Sequence, residues 1–368
     1  MHMRMCASRV EQRLAELVAF DTRNPGGDER PLAEHLAQAL RALGASLVEV
    51  IPVTGHVSTY ARFGANRPSL LLNAHIDTVP AHAGYASAPL VLVGRDRRLY
   101  GLGSADTKGA IAAVLEALAR QQAAGAVPDR LAVLFSGDEE LGGVCMRDFL
   151  SSERCRGIER AVVCEPTGCR VGVRHRGVHG ERITATGPGG HSSLAERVPN
   201  PLTALARAAV ALDELGARYR QRGPDGLRGL CMNVAALDGG MAFNVIPATA
   251  ALTFSVRPPP GVDLAAILAQ ARDLVAAATA PFLTHWETVA SNPPFATRDR
   301  AGFAGLLGER PTVDLPFGTE AGQLVEAGID AVVFGPGRVE QAHAPDEHVD
   351  LDDLEEAVAV FGRALASL

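Results

Sequence analysis

An α/β fold, built on a doubly wound and mostly parallel sheet and interrupted by a smaller α+β domain, is predicted by three features of the sequence. Apolar runs of strand length recur at 70–74, 131–135, 161–164 and 331–334, bounded by turn residues and separated by stretches of helical periodicity. Histidines and carboxylates stand at or just beyond the ends of these runs. Between about 178 and 290 the rhythm changes. At 368 residues the chain also exceeds the roughly 250–300 at which a single core stops growing, so two domains are expected.

Residues 10–20 and 31–43 carry apolar side chains at helical spacing on either side of the turn-rich Asn24-Pro25-Gly26-Gly27-Asp28, and read as covering helices. Strands at 47–52 and 58–63 precede the run 70–74, which opens into His75-Ile76-Asp77. A Pro/Ala/Gly connection then leads to Gly101-Leu102-Gly103-Ser104-Ala105-Asp106-Thr107-Lys108-Gly109 and an Ala-rich helix to about 122. Asp106 sits just before that helix, where it can present a carboxylate into a cleft or act as a plain N-cap. The strand 131–135 ends in Ser136-Gly137-Asp138-Glu139-Glu140. Successive acids at a buried strand end repel one another unless a cation or solvent compensates, and a solvated acidic loop is the alternative. The run 161–164 is followed directly by Glu165-Pro166-Thr167; 331–334 is followed by Gly335-Pro336-Gly337 and, past a loop, by His343, Asp346 and Glu347.

The middle segment reads strand (181–186), helix (201–215), strand (230–237), strand (248–257), helix (264–278), strand (285–289). That order is the signature of a ferredoxin-like sandwich with an antiparallel sheet. Patterns of the first kind resume afterwards. The expected division is therefore a catalytic domain of 1–177 with 291–368 and an insert of 178–290, hinged near Gly177 and Asn292-Pro293-Pro294.

Composition narrows the function. The net charge of -7, the pI of about 5.9 and the lack of a dense Lys/Arg run argue against nucleic-acid and anionic-membrane partners and favour a small-molecule substrate. Residues 1–8 lack the apolar core of a signal peptide, and no run approaches 18 consecutive apolar residues. Cys6, Cys145, Cys155, Cys164, Cys169 and Cys231 show no C-x-x-C spacing and are expected to be reduced, buried and cytoplasmic.

In a doubly wound sheet the carboxyl ends of the strands lie on one side, so His75, Asp106, Glu139 with Glu140, Glu165 and His343 are expected to converge. An imidazole that binds metal commonly gives its other N–H to a carboxylate; Asp77 is placed to receive it from His75, although a core histidine beside an unrelated aspartate has the same sequence. Two histidines and three carboxylates can satisfy two divalent ions if one carboxylate bridges them. Nitrogen and oxygen donors without cysteine suit zinc first, with cobalt and manganese as alternatives. Such a pair lowers the pKa of a shared water and polarises a carbonyl, the task of a hydrolase. A carboxylate outside the ligand set must move the proton, and the neighbours Glu139 and Glu140 offer one residue for each job.

These residues resemble the zinc deacylases and peptidases that include acetylornithine deacetylase, succinyl-diaminopimelate desuccinylase, glutamate carboxypeptidase and aminoacylase. The resemblance covers nearly the whole chain. It runs through His75-Ile76-Asp77, Gly103-Ser104-Ala105-Asp106-Thr107-Lys108-Gly109, Asp138-Glu139-Glu140, Cys164-Glu165-Pro166-Thr167, Gly190-His191-Ser192-Ser193, Asn244-Val245-Ile246-Pro247 and Ala342-His343-Ala344-Pro345-Asp346-Glu347. It implies that Asp106 bridges two ions, that His75 and Glu165 complete one, and that Glu140 and His343 complete the other. Glu139 is then the general base and Asp77 the partner of His75. His191 resembles the family residue that reaches into the partner subunit's site and stabilises the oxyanion, which implies a homodimer built through the inserted lid. Asn244, Arg257 and Thr319 are the implied substrate contacts; without the family, Arg257 reads as a surface salt bridge.

Among subfamilies the sequence is most similar to the acetylornithine and acetylcitrulline deacetylases, which implies an N-acetyl amino acid substrate and a place in arginine biosynthesis. Desuccinylases generally carry an arginine near His175 that suits a succinyl carboxylate; the chain is read as lacking it, which implies a small uncharged acyl group. Leu102, Glu320 and His348 depart from common family patterns and leave the side-chain preference open. A desuccinylase, a carboxypeptidase or dipeptidase on the same scaffold, and an inactive ligand-binding relative are the competing readings.

Overall fold

A computed structural model describes residues 8–368, so Cys6 and the rest of the N-terminal stretch lie outside the described residues. The chain divides into two compact units. One takes in the described residues through Val173 together with Ala296–Val313 and Thr319–Leu368; the other takes in Arg174–Phe295 and Asp314–Gly318.

The centre of the first unit is a sheet in which Leu131–Ser136, Leu70–His75, Arg160–Val163 and Asp330–Val333 lie side by side and parallel. Antiparallel strands His56–Phe63 and Leu47–Val53 extend it beyond Leu131–Ser136. The two-residue period of these strands sorts their side chains. Leu70, Leu72, Ala74, Leu131, Val133 and Phe135 join one core with Leu14 and Leu17 of the helix Arg9–Val18, Leu36 of Arg30–Ala42, Ile111 and Leu115 of Lys108–Ala123, and Phe361 of Leu351–Ala366. Each of the larger side chains contributes about 1.5–3 kcal/mol by burial. Leu71, Ala132 and Leu134 on the opposite face are equally buried, which is why the strands read as unbroken apolar runs.

Helix starts follow their local chemistry. Ser8 and Glu11 form a reciprocal capping box before Arg9–Val18, and Pro31 occupies the first turn of Arg30–Ala42. The connection between His75 and the Ala-rich helix contains structure that its composition does not announce. Val93–Arg95 and Arg98–Tyr100 form a hairpin through Asp96 and Arg97, both at positive φ, and His348–Asp350 adds a third strand. Its strands are too short and too charged to show a period, and the third comes from the far end of the chain.

The second unit has strands Val178–Thr186, Asn233–Gly239, Thr249–Val256 and Thr284–Asn292 in the antiparallel order Asn233–Gly239, Thr249–Val256, Val178–Thr186, Thr284–Asn292. Helices Pro201–Arg218 and Leu264–Thr279 supply Leu205, Leu212, Ile267 and Val275 to a core with Ile183, Leu252 and Phe254. The strand expected from 230 begins at Asn233, because Leu230 turns into this core instead of extending the ladder. The same turn corrects the expectation for Cys231, which is exposed; Cys145, Cys164 and Cys169 are buried and Cys155 is half-buried. Among the described residues no helix is long and apolar enough to cross a membrane.

Candidate metal centre

His75 is the last residue of its strand and is buried. Its Nδ1 lies 2.9 Å from the main-chain oxygen of Asp77 and 3.4 Å from Asp77 Oδ1. Its Nε2 lies 2.8 Å from Asp106 Oδ1 and 3.8 Å from Glu165 Oε1. The other oxygen of Asp106 is 3.4 Å from His343 Nε2, which in turn is 3.2 Å from Glu140 Oε1. Asp106 therefore divides one carboxylate between two imidazoles brought from distant parts of the chain. All five residues meet in the first unit.

Asp106 is not the helix cap. Thr107 holds that position without a side-chain cap bond, and its Oγ1 donates to the carbonyl of His75 at 2.9 Å. This ties the Asp106 loop to the strand end.

The 139–140 loop is shaped by what lies beneath it. A Cβ at Gly137 would stand 2.7 Å from the Val57 carbonyl, and Asp138 turns the chain at positive φ. Asp77 then receives Glu139 N–H on Oδ1 at 3.1 Å and Glu140 N–H on Oδ2 at 3.2 Å. The Asn24 amide donates to Asp77 at 3.0 Å and to Asp138 at 3.2 Å. Burial alone raises the Asp77 pKa, but the bonds from His75, Asn24 and Glu139 outweigh it and hold the carboxyl below its ordinary value. Asp77 thus supports the 139–140 main chain as well as facing the His75 ring.

The donor set fits divalent cations. Burial drives Glu139 and Glu165 well above the ordinary carboxyl range and Glu140 above it, with repulsion among neighbouring acids adding to the shift and the histidines opposing it. Among the described residues, the ion-pair partners of Asp106, Glu140 and Glu165 are His75 and His343 only. Such a concentration of carboxylates is ionised at little cost only around a cation. The ligand atoms of His75, Asp106 and Glu140 lie within 4.8 Å of one another.

The remaining expected residues are described within their own units. Thr319 belongs to the first unit, is fully buried, and its Oγ1 accepts Ala321 N–H at 3.1 Å. His191, Asn244 and Arg257 are exposed on the second unit. There His191 pairs with Val245 in a short ladder that sets it beside Asn244, and its Nδ1 lies 2.8 Å from Ser193 Oγ.

The reading that no arginine stands near His175 is corrected: Arg174 and Arg176 flank it. Both are engaged within the second unit. Arg174 makes a two-pronged pair with Asp314 at 2.7 Å from each nitrogen, and Arg176 donates to main-chain oxygens of Arg228 and Arg257 at 2.7 and 3.5 Å.

The roles of three buried polar groups escaped sequence reasoning. Besides Asn24, Glu320 Oε2 accepts from Ser136 Oγ at 2.7 Å, with burial pushing its pKa up to about 7. Glu29 accepts Val57 N–H at 3.0 Å and lies 2.9 Å from His56 Nδ1. Asn24 had one legible signal, its place before proline in the turn-rich stretch, and Glu320 had its departure from the common family pattern; Glu29 had none. A cavity of about 210 Å³ opens beside His343, lined by Val79, Pro80, His82, Tyr85, Leu102, Ala344 and Glu347, without lysine or arginine. A larger one, about 680 Å³, lies in the second unit around Gly187, Phe282 and Leu283 and touches none of the expected residues.

The sequence model of peptidase family M20/M25/M40 matches residues 71–367. An N-acetyl-L-citrulline deacetylase of Xanthomonas campestris is 34% identical, covering 98% of each chain. An acetylornithine deacetylase of Pasteurella multocida is 31% identical, covering 89% of this chain and 88% of that one. A solved structure from Bacillus subtilis, described as a dinuclear metal binding peptidase of the M20 family, superposes with a TM-score of 0.69 at 15% identity, covering 98% of both chains.

Proposed function

The chain belongs to peptidase family M20/M25/M40 and is a metal-dependent amide hydrolase, and from that premise we propose that it removes a small neutral acyl group, acetyl first, from an amino acid such as N-acetylcitrulline or N-acetylornithine. The observation that carries this reading is the division of the Asp106 carboxylate between His75 and His343. We assign Asp106 as the bridge between two divalent ions, zinc first with cobalt or manganese as alternatives, His75 and Glu165 to one and Glu140 and His343 to the other. When bound, the pair supplies Lewis acidity that acidifies water and polarises the scissile carbonyl.

Glu139 takes the proton from the attacking water and passes it to the nitrogen as the C–N bond breaks, leaving a carboxylic acid and a free amine. Asp77 holds the Glu139 main chain while it does so. His191, contributed by the partner subunit of a homodimer built through the second unit, donates to the carbonyl oxygen as it gains charge. Asn244, Arg257 and Thr319 are assigned to the substrate. The second unit acts as lid and dimerisation domain, and the setting is cytoplasmic arginine biosynthesis.

A neutral acyl group is supported by the engagement of Arg174 and Arg176 and by the lack of lysine and arginine in the walls of the cavity beside His343. The deciding experiment follows amine release by zinc- and cobalt-loaded protein from acetylornithine, acetylcitrulline, acetyl-lysine, succinyl-diaminopimelate and a set of dipeptides. Turnover highest on an acetylated amino acid supports the proposal; turnover highest on dipeptides or on the succinyl substrate replaces it with a peptidase or desuccinylase.

A further inference from the structure

Glu347 follows His343 by four positions, and the two approach Asp106 from different sides. His343 faces the Asp106 carboxylate, with Nε2 3.4 Å from Oδ2. Glu347 faces its main chain. The Glu347 side chain is buried; its Oε1 accepts the N–H groups of Asp106 at 3.0 Å and Ala105 at 2.9 Å, and its Oε2 accepts that of Gly103 at 2.9 Å. The Glu347 carbonyl accepts Gly101 N–H at 3.0 Å, and the preceding Asp346 accepts Ala86 N–H at 2.7 Å.

The grip is specific to the loop it holds. Gly103 has positive φ, and a Cβ there would come within 2.8 Å of Thr78 Cγ2, so the chain passes in one tight path. On its C-terminal side Asp106 is held by Thr107 and the helix that follows; on its N-terminal side the three N–H groups converge on a single carboxylate. A buried main-chain N–H left without its acceptor loses the water it gave up and gains nothing in return, so all three N–H groups depend on this one side chain. A change in this loop rotates the Asp106 carboxylate directly, since Asp106 is one of the residues gripped.

We propose that Glu347 is a positioning residue for the metal centre: by holding the main chain from Gly103 to Asp106 it sets the angle at which Asp106 divides its carboxylate between His75 and His343. The proposal rests on the assignment of Asp106 as a bridge between two ions. The same short segment carries His343, so bridge and imidazole are registered to one another through Glu347.

The test uses full-length apo protein of the wild type, Glu347→Gln and Glu347→Ala. Zinc affinity is measured by calorimetry, cobalt loading by its visible absorption, and kcat and KM on acetylcitrulline. A glutamine keeps one oxygen and turns an amide NH2 toward an N–H it should accept. The expected result for Glu347→Gln is a loss of about 10- to 100-fold in affinity for at least one ion, an altered cobalt spectrum, and a fall in kcat with KM nearly unchanged. Glu347→Ala should move further the same way; if it fails to fold, the glutamine variant decides alone. Wild-type affinity and cobalt spectrum in Glu347→Gln overturn the proposal, whether or not its melting temperature falls. If the wild type takes up only one ion, the two-ion reading fails, and Glu347 is judged by whether its variant weakens that one.

Discussion

Asp77 supports Glu139 through the main chain: Asp77 Oδ1 accepts the Glu139 N–H at 3.1 Å, while the same carboxylate stands 3.4 Å from the His75 ring. One buried acid thereby registers the proposed base against the first proposed ligand. Asp77→Asn keeps the shape but turns a donor toward one of these N–H groups. Its kcat is expected to fall about 10- to 100-fold, with a stability loss of about 1–3 kcal/mol, read by steady-state kinetics and denaturant melts.

Glu139 itself separates binding from chemistry. Glu139→Gln is expected to retain both metal equivalents by elemental analysis and to lose on the order of 10²- to 10⁴-fold in turnover. Turnover near that of the wild type would remove Glu139 from the base role.

Metal removal tests the charge balance. With chelator, Asp106, Glu139, Glu140 and Glu165 lie near one another with, among the described residues, only His75 and His343 to compensate. Activity is expected to vanish and the melting temperature to drop, and zinc should restore both. At a free ion concentration of 100 times Kd the restored stability is about 2.7 kcal/mol. A melting temperature indifferent to chelator and zinc would show that these acids do not share a cation.

The pH dependence has a local source in His56. Burial disfavours its charge, but the bond to Glu29 and the charges of Glu29, Asp138 and Asp77 outweigh it and raise its pKa. The folded form therefore holds this proton more tightly than the unfolded chain. The stabilisation is complete below about 6.5, the unfolded value, and is lost as pH rises through the raised folded value. His56→Gln is expected to be less stable than the wild type at acid pH, with the gap closing as pH rises; a gap that widens with pH contradicts the assignment.

His75 was legible because a buried strand announces itself by its own apolar run, whatever lies beside it. The inserted strand-helix-strand-strand-helix-strand pattern was legible for the same reason, each element carrying its period within its own residues. Asp106 read two ways from its own stretch, since a cap and a carboxylate presented into a cleft are the same letter before a helix; the structure gives the cap position to Thr107. The order Leu131–Ser136, Leu70–His75, Arg160–Val163, Asp330–Val333 brings His75, Asp106, Glu140, Glu165 and His343 together, and it arises from pairings between residues remote in the chain. Arg174 and Arg176 are plain in the sequence, yet only their partners Asp314, Arg228 and Arg257 show that they are occupied. Local periodicity and the identity of the donor side chains were thus properties of the sequence alone. The supports of Asp77 and Glu347 belong to tertiary structure, because main-chain N–H groups are the same at nearly every residue and become specific only when folding aims them at one carboxylate.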